Sequence, residues 1–193
     1  MNRGKTGPRR RRAVTREPGV RPYTEQPAGG GSSRKNISDS IRSAALKMLA
    51  SRPRTEGQLR ERLLEKFLSD SDAVEECISH LKKTAYLDDA EFARSYASSR
   101  LAVKAVGRNR LARELEAKKV SRAVITEVLD SVFDDIGEEN LIDRAIVKRI
   151  RIYGRPTDRA GAKRMFDHLA RLGFQYNLIM LKLRALNTDM GDE

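Results

Sequence analysis

The sequence predicts an all-α protein made of three tandem three-helix repeats, and three observations carry that prediction. From Ile37 onward, apolar residues recur three and four positions apart, the spacing of one helix face. Alternating β-branched runs bounded by hairpin turns, which would mark half-buried strands, do not occur. The trio Val74, Ile78, Leu81 returns as Ile125, Leu129, Val132 and again as Ile179, Leu183, Leu186, always with the same +4, +3 step.

The elements follow in order. The first repeat, residues 37–87, opens with a helix whose apolar face is Ile41, Ala45, Met48 and Leu49. Thr55 with Gln58 three residues on, just after Pro53, forms a capping box for a second helix bearing Leu59 and Leu63. The first trio makes the third helix. The second repeat, 88–134, begins at Asp88, which has the capping spacing to Glu91 just before Phe92. Leu111 and Leu115 follow Gly107, and Ser121 is the N-cap expected for the helix of Ile125 and Leu129. The third repeat is 135–187. Asp134-Asp135 and Glu138-Glu139 read as its first turn, ahead of a helix from Leu141 to Ile150. Met165 and Leu169 mark its middle helix, and residues 188–193 form a short tail. Gly107, Gly154 and Gly173 fall between apolar runs, where a helix must stop. The pairs Leu59/Leu63, Leu111/Leu115 and Met165/Leu169 are spaced 52 and then 54 residues apart. A unit of about fifty residues buries little surface alone. Neighbouring units are therefore expected to pack on one another in an elongated, curved row.

Charge is unevenly distributed. The chain has 39 Lys and Arg against 27 Asp and Glu, a formal net charge of +12. Residues 1–36 hold ten of the basic groups and only Glu17 and Glu25 in opposition; residues 37–193 hold 29 against 25. The first segment, with Arg9 to Arg12, four prolines and Gly29-Gly30-Gly31-Ser32-Ser33, has almost no apolar residue to offset the entropy of ordering. It is expected to be a disordered basic tail, serving either as a loose phosphate contact or as a solubilising extension. The balance of the whole favours polyanionic partners, single-stranded or duplex DNA among them. Cys77 is the single cysteine, so no intrachain disulfide forms, and His80 and His168 offer no zinc-ligand spacing. A reducing, cytoplasmic setting and a monomer are expected. No apolar run is long enough to span a bilayer, the basic N-terminus lacks the apolar stretch of a secretory signal, and no membrane partner is expected.

A family resemblance lies in the stretch Leu81 to Phe92, with Tyr96 and Arg100 behind it. It resembles the junction between the first two repeats of the RecX family, with its leucine, glycine, aromatic, apolar, Asp, Asp, x, x, Phe, Ala pattern. Gly107, Leu111 and Glu114-Leu115 are similar to that family's next helix, and Leu169, Gly173-Phe174 and Ile179 to its ending. The resemblance covers about Ile41 to Leu186. Two positions depart from it. Lys118-Lys119-Val120 stands where Lys-Gly-Ile is usual, and Ala85 where glycine is common, which puts the geometry of two helix ends in question. The resemblance implies a regulator that binds along the groove of the RecA–single-stranded DNA filament. Such a regulator limits filament growth, ATP hydrolysis and strand exchange in recombination, DNA repair and the SOS response.

No constellation for chemistry is evident, and the protein is expected not to be an enzyme. Gly29-Gly30-Gly31 is not followed by the Lys-Ser or Lys-Thr of a phosphate-cradling loop. Asp88-Asp89 reads as a helix N-terminus rather than a metal pair. His80, His168 and Cys77 have no partners in sequence that would make a nucleophile and base. No catalytic, metal or cofactor residue is expected, and no cofactor. What remains are two basic stretches, between Arg100 and Arg122 and between Arg144 and Arg164; the second is opposed only by Asp158. Arg108, Arg110, Lys148, Arg149, Arg151 and Arg155 are the candidate contacts to filament or DNA. Tyr153 either stacks on a base or packs in the core. The alternative function is an autonomous DNA-binding protein of helix-turn-helix type. The small excess charge of residues 37–193 argues against it.

Overall fold

Local capping decides where the helices begin. Thr55 Oγ1 accepts the N–H of Gln58 at 3.2 Å while the Gln58 side chain accepts the N–H of Thr55, and the helix Glu56–Lys66 starts there. Asp88 accepts the N–H groups of Ala90 and Glu91, both at 2.9 Å, and Ser121 accepts that of Val124. The computed structural model describes Gly30–Thr188, with side chains described for residues 34–186. Among the described residues it contains nine helices and no strand. They are α1 Gly30–Ser51, α2 Glu56–Lys66 and α3 Ser71–Lys83; α4 Asp89–Val103, α5 Arg108–Ala117 and α6 Arg122–Ile136; and α7 Glu138–Tyr153, α8 Arg159–Leu172 and α9 Tyr176–Thr188. Each run of three packs against itself, as the threefold recurrence predicts. Leu63, Leu115 and Leu169, the equivalent positions of the three repeats, are fully buried.

Two boundaries differ from expectation. Residues 1–29 of the expected tail lie outside the described residues, but Gly30 to Asn36 belong to α1. Ile41, Ala44 and Ala45 bury against α3 and anchor this helix. Once a helix is nucleated, each residue added at its end costs little, so polar residues that read as linker extend it backwards. At the other boundary, Asp134 and Asp135 do not open the third repeat. They are exposed in the last turn of α6, which continues to Ile136 because Val132 and Phe133 are buried. Gly137, at φ +77°, turns the chain, and Glu138-Glu139 do form the first turn of α7.

The core is divided unequally. Ile41, Leu59, Leu63, Val74, Ile78 and Leu81 make a core private to the first repeat. The second and third repeats share one continuous core, running through Leu111, Leu115, Phe133, Ile142, Leu169 and Phe174. Each such side chain, fully buried, stabilises the fold by about 1.5–3 kcal/mol relative to exposure.

The two junctions between repeats are built alike. At each, the start of one repeat's middle helix meets the end of the next repeat's middle helix. Thr55 Oγ1 donates to the Lys118 carbonyl at 2.5 Å, and Gly107 N–H donates to the Leu172 carbonyl at 2.9 Å. At each, the first N–H of that middle helix is also capped by a carboxylate opening the next repeat. Asp89 accepts from Glu56 at 2.7 Å, and Glu138 accepts from Arg108 at 3.1 Å. Asp89 thus serves a neighbouring repeat while Asp88 caps its own helix. Ala85 (φ +56°) and Lys119 (φ +65°), the two residues at expected glycine positions, both take the left-handed conformation that glycine adopts without strain.

Candidate cationic binding site

Lys104 of the first basic stretch and Arg144, Lys148 and Arg149 of the second line one cleft of about 320 Å³. The last turn of α4 contributes Val103, and the connection to α5 contributes Lys104 and Ala105. On α7, Arg144, Lys148 and Ile152 follow one another at intervals of four, beside Ala145, Arg149 and Tyr153, so that one helix face lines the opposite wall. His168 and Leu172 of α8 close the end. Lys104, Arg144, Lys148 and Arg149 are its cations, and no carboxylate lines it.

This concentration of charge acts on its neighbours. Burial, followed by the Arg149, Arg171 and Lys104 charges, pushes the His168 imidazole below its ordinary pKa. Both causes favour the uncharged form of the ring. The Arg149 guanidinium lies 4.0 Å from the centre of the Tyr153 ring, a cation–π contact. Tyr153 is 69% exposed and so does not pack in the core.

The six candidate contacts fall into two groups. Arg108 pairs with Asp130 and lies over the Phe133 ring. Arg110 pairs with Glu114 at 2.9 Å and also donates to the Arg171 carbonyl. Glu114 in turn accepts from Arg100 Nε and the Tyr96 hydroxyl, both at 3.0 Å. Both arginines are thus engaged within the chain. Lys148, Arg149, Arg151 and Arg155 have no carboxylate partner among the described residues. Lys148 and Arg149 line the cleft, while Arg151 and Arg155 are exposed and do not line it.

Sequence reasoning did not single out Val103, Lys104 or Ile152 as part of a site. The available signal was Ile152 and Tyr153 themselves, apolar residues continuing past the period that Leu141, Ala145 and Ile146 set for the core face. Among the described residues, no group of three or more His, Cys, Asp or Glu is placed to hold a metal ion. No described helix is long and apolar enough to cross a membrane.

Comparison with known proteins gives a consistent picture. Residues 42–81 match the family model for the first three-helix domain of RecX, and residues 88–129 the model for its second. The regulatory protein RecX of Lactococcus lactis subsp. cremoris (strain MG1363) is 24% identical over 153 residues. That match covers 79% of this chain but only 57% of the Lactococcus protein. The regulatory protein RecX of Thermobifida fusca (strain YX) is 27% identical over 165 residues, covering 82% of this chain and 87% of its own length. The crystal structure of RecX from Lactobacillus salivarius superposes with a TM-score of 0.71 at 19% identity, over 80% of this chain and 99% of that one. The last likeness is one of fold.

Proposed function

The chain belongs to the RecX family of regulatory proteins, and from that premise we propose that it binds the RecA–single-stranded DNA filament and restrains its activity. A row of three helical repeats suits this task, because a ligand that touches several subunits of a filament at once gains from effective concentration. The observation that carries the reading is the cationic cleft between the second and third repeats, lined by Lys148 and Arg149, together with exposed Arg151 and Arg155; none of the four has an intramolecular carboxylate partner among the described residues. Cations left unpaired attract phosphate or an acidic protein groove, and reversing them turns attraction into repulsion. Arg108 and Arg110 are proposed as secondary contacts, since their existing ion pairs must be shared or broken to serve a partner.

The test is DNA-dependent RecA ATPase during titration with this protein. The chain is expected to suppress turnover. The fourfold reversal Lys148→Glu, Arg149→Glu, Arg151→Glu, Arg155→Glu is expected to lose most of that effect with helicity unchanged. Reversing Arg9 to Arg12 is expected to retain most of it. Equal suppression by the two variants would misplace the contact. No suppression by the unaltered protein would remove the assignment.

A further inference from the structure

We propose that the cleft between the end of α4 and α7 is a docking site for an acidic protein segment that presents a bulky apolar side chain. The apolar part of the argument comes from exposure. Val103 is 81% exposed, Ile152 60% and Tyr153 69%, three large apolar side chains left in water around one opening. Between them lie Ala105, Ala145 and Leu172, which give the opening an apolar floor. A soluble protein seldom leaves such a patch bare unless something covers it.

The polar part comes from the rim. Lys104, Arg144 and Lys148 surround that floor and none has a carboxylate partner among the described residues. An apolar centre ringed by one sign of charge selects an occupant of the same layout and opposite sign. A second copy of this chain offering the same face would bring cation against cation.

A nucleic-acid strand fits less well. Binding through bases needs free aromatic faces. Two rings line the cleft: Tyr153, with Arg149 already against one of its faces at 4.0 Å, and His168, half-buried at the closed end. Val103 and Ile152 are aliphatic and give a base nothing to stack on, whereas they give a leucine or phenylalanine side chain a surface to bury. The proposal rests on the filament reading to the extent that the same cations serve both, and it specifies the chemistry of what meets them.

Fluorescence anisotropy on the full chain, with no recombinase present, tests it. The probes are a labelled nonapeptide of acidic residues interrupted by one Phe and one Leu, the same peptide with both replaced by Ser, and an oligothymidylate of equal length. The Phe/Leu peptide is expected to bind saturably, and the Ser peptide at least tenfold more weakly. Ile152→Asp and Lys148→Glu should each weaken the Phe/Leu peptide at least tenfold, while Arg62→Glu in the first repeat should leave it within twofold. Because Ile152 is mostly exposed, the thermal midpoint should hold; if it falls, Val103→Asp supplies the same reading. Equal binding of the two peptides overturns the proposal, as does oligothymidylate displacing the peptide. Peptide binding without any effect on RecA ATPase would overturn the filament reading alone. ATPase suppression without peptide binding would overturn this inference alone.

Discussion

Asp89 caps a helix that belongs to a different repeat: its Oδ1 accepts the backbone N–H of Glu56 at 2.7 Å, across 33 residues of sequence. Glu138 repeats the arrangement on Arg108 at 3.1 Å. Removing either carboxylate leaves a helix-terminal N–H without its acceptor. Asp89→Ala and Glu138→Ala should each lower stability by about 0.5–2 kcal/mol. Hydrogen exchange provides the check, with Glu56 and Arg108 amides exchanging faster while the interiors of α2 and α5 stay protected.

Gly107 and Gly173 meet backbone to backbone. A methyl group on Gly107 would collide with the Gly173–Phe174 peptide, and one on Gly173 with the backbone and Cβ of Arg110. Gly173 is also at φ +89°. Gly107→Ala should destabilise by about 1–3 kcal/mol through overpacking, and Gly173→Ala by roughly 1–2 kcal/mol more for its left-handed backbone. Gly154→Ala opens on empty space and so reports backbone strain without a clash, though at ψ 169° rather than the 16° of Gly173. Urea denaturation should place Gly173→Ala below Gly107→Ala in stability.

Ala85 and Lys119 invite the opposite change. Both hold left-handed backbone with a side chain present. Ala85→Gly relieves about 1–2 kcal/mol of local strain against roughly 0.5–1 kcal/mol of added unfolded-chain entropy, for a net gain of about 0–1.5 kcal/mol. Lys119→Gly also removes the ion pair to Glu61, an exposed contact worth little. A rise in thermal midpoint for both is expected, and a fall for both would mean that these backbones are not strained.

The Arg100, Arg110 and Tyr96 cluster makes stability depend on pH. Hydrogen bonding to Arg100 first, then to Arg110 and Tyr96, holds the Glu114 carboxyl down to about 2, against an ordinary 4.5. A depressed acid favours the folded state when ionised. Its contribution is full above pH 4.5 and is lost as the pH falls towards about 2. Glu114→Gln should therefore lower stability at pH 7 and flatten its decline across that acid window. Denaturation midpoints measured from pH 7 to pH 2 would show it, and parallel profiles for the two proteins would count against it.

Helix number, order and type were legible in the sequence because they rest on local terms. The +4, +3 trios, the Thr55–Gln58 box and the Asp88 and Ser121 caps need only residues within a turn or two of one another. So were Leu63, Leu115 and Leu169 as equivalent core positions, since periodicity alone places them inside. What only the tertiary structure decided depends on residues far apart in the chain. Asp89 and Glu138 look like first-turn carboxylates until α2 and α5 are brought to them. Arg108 and Lys148 are indistinguishable as basic residues, yet folding carries Asp130 to the first and no carboxylate to the second. Lys104 and Lys148 stand 44 positions apart and become one site because α4 ends where α7 passes. A helix face selects its buried residues by periodicity, but a cation's freedom is set by whichever charges the packing of other helices brings within reach.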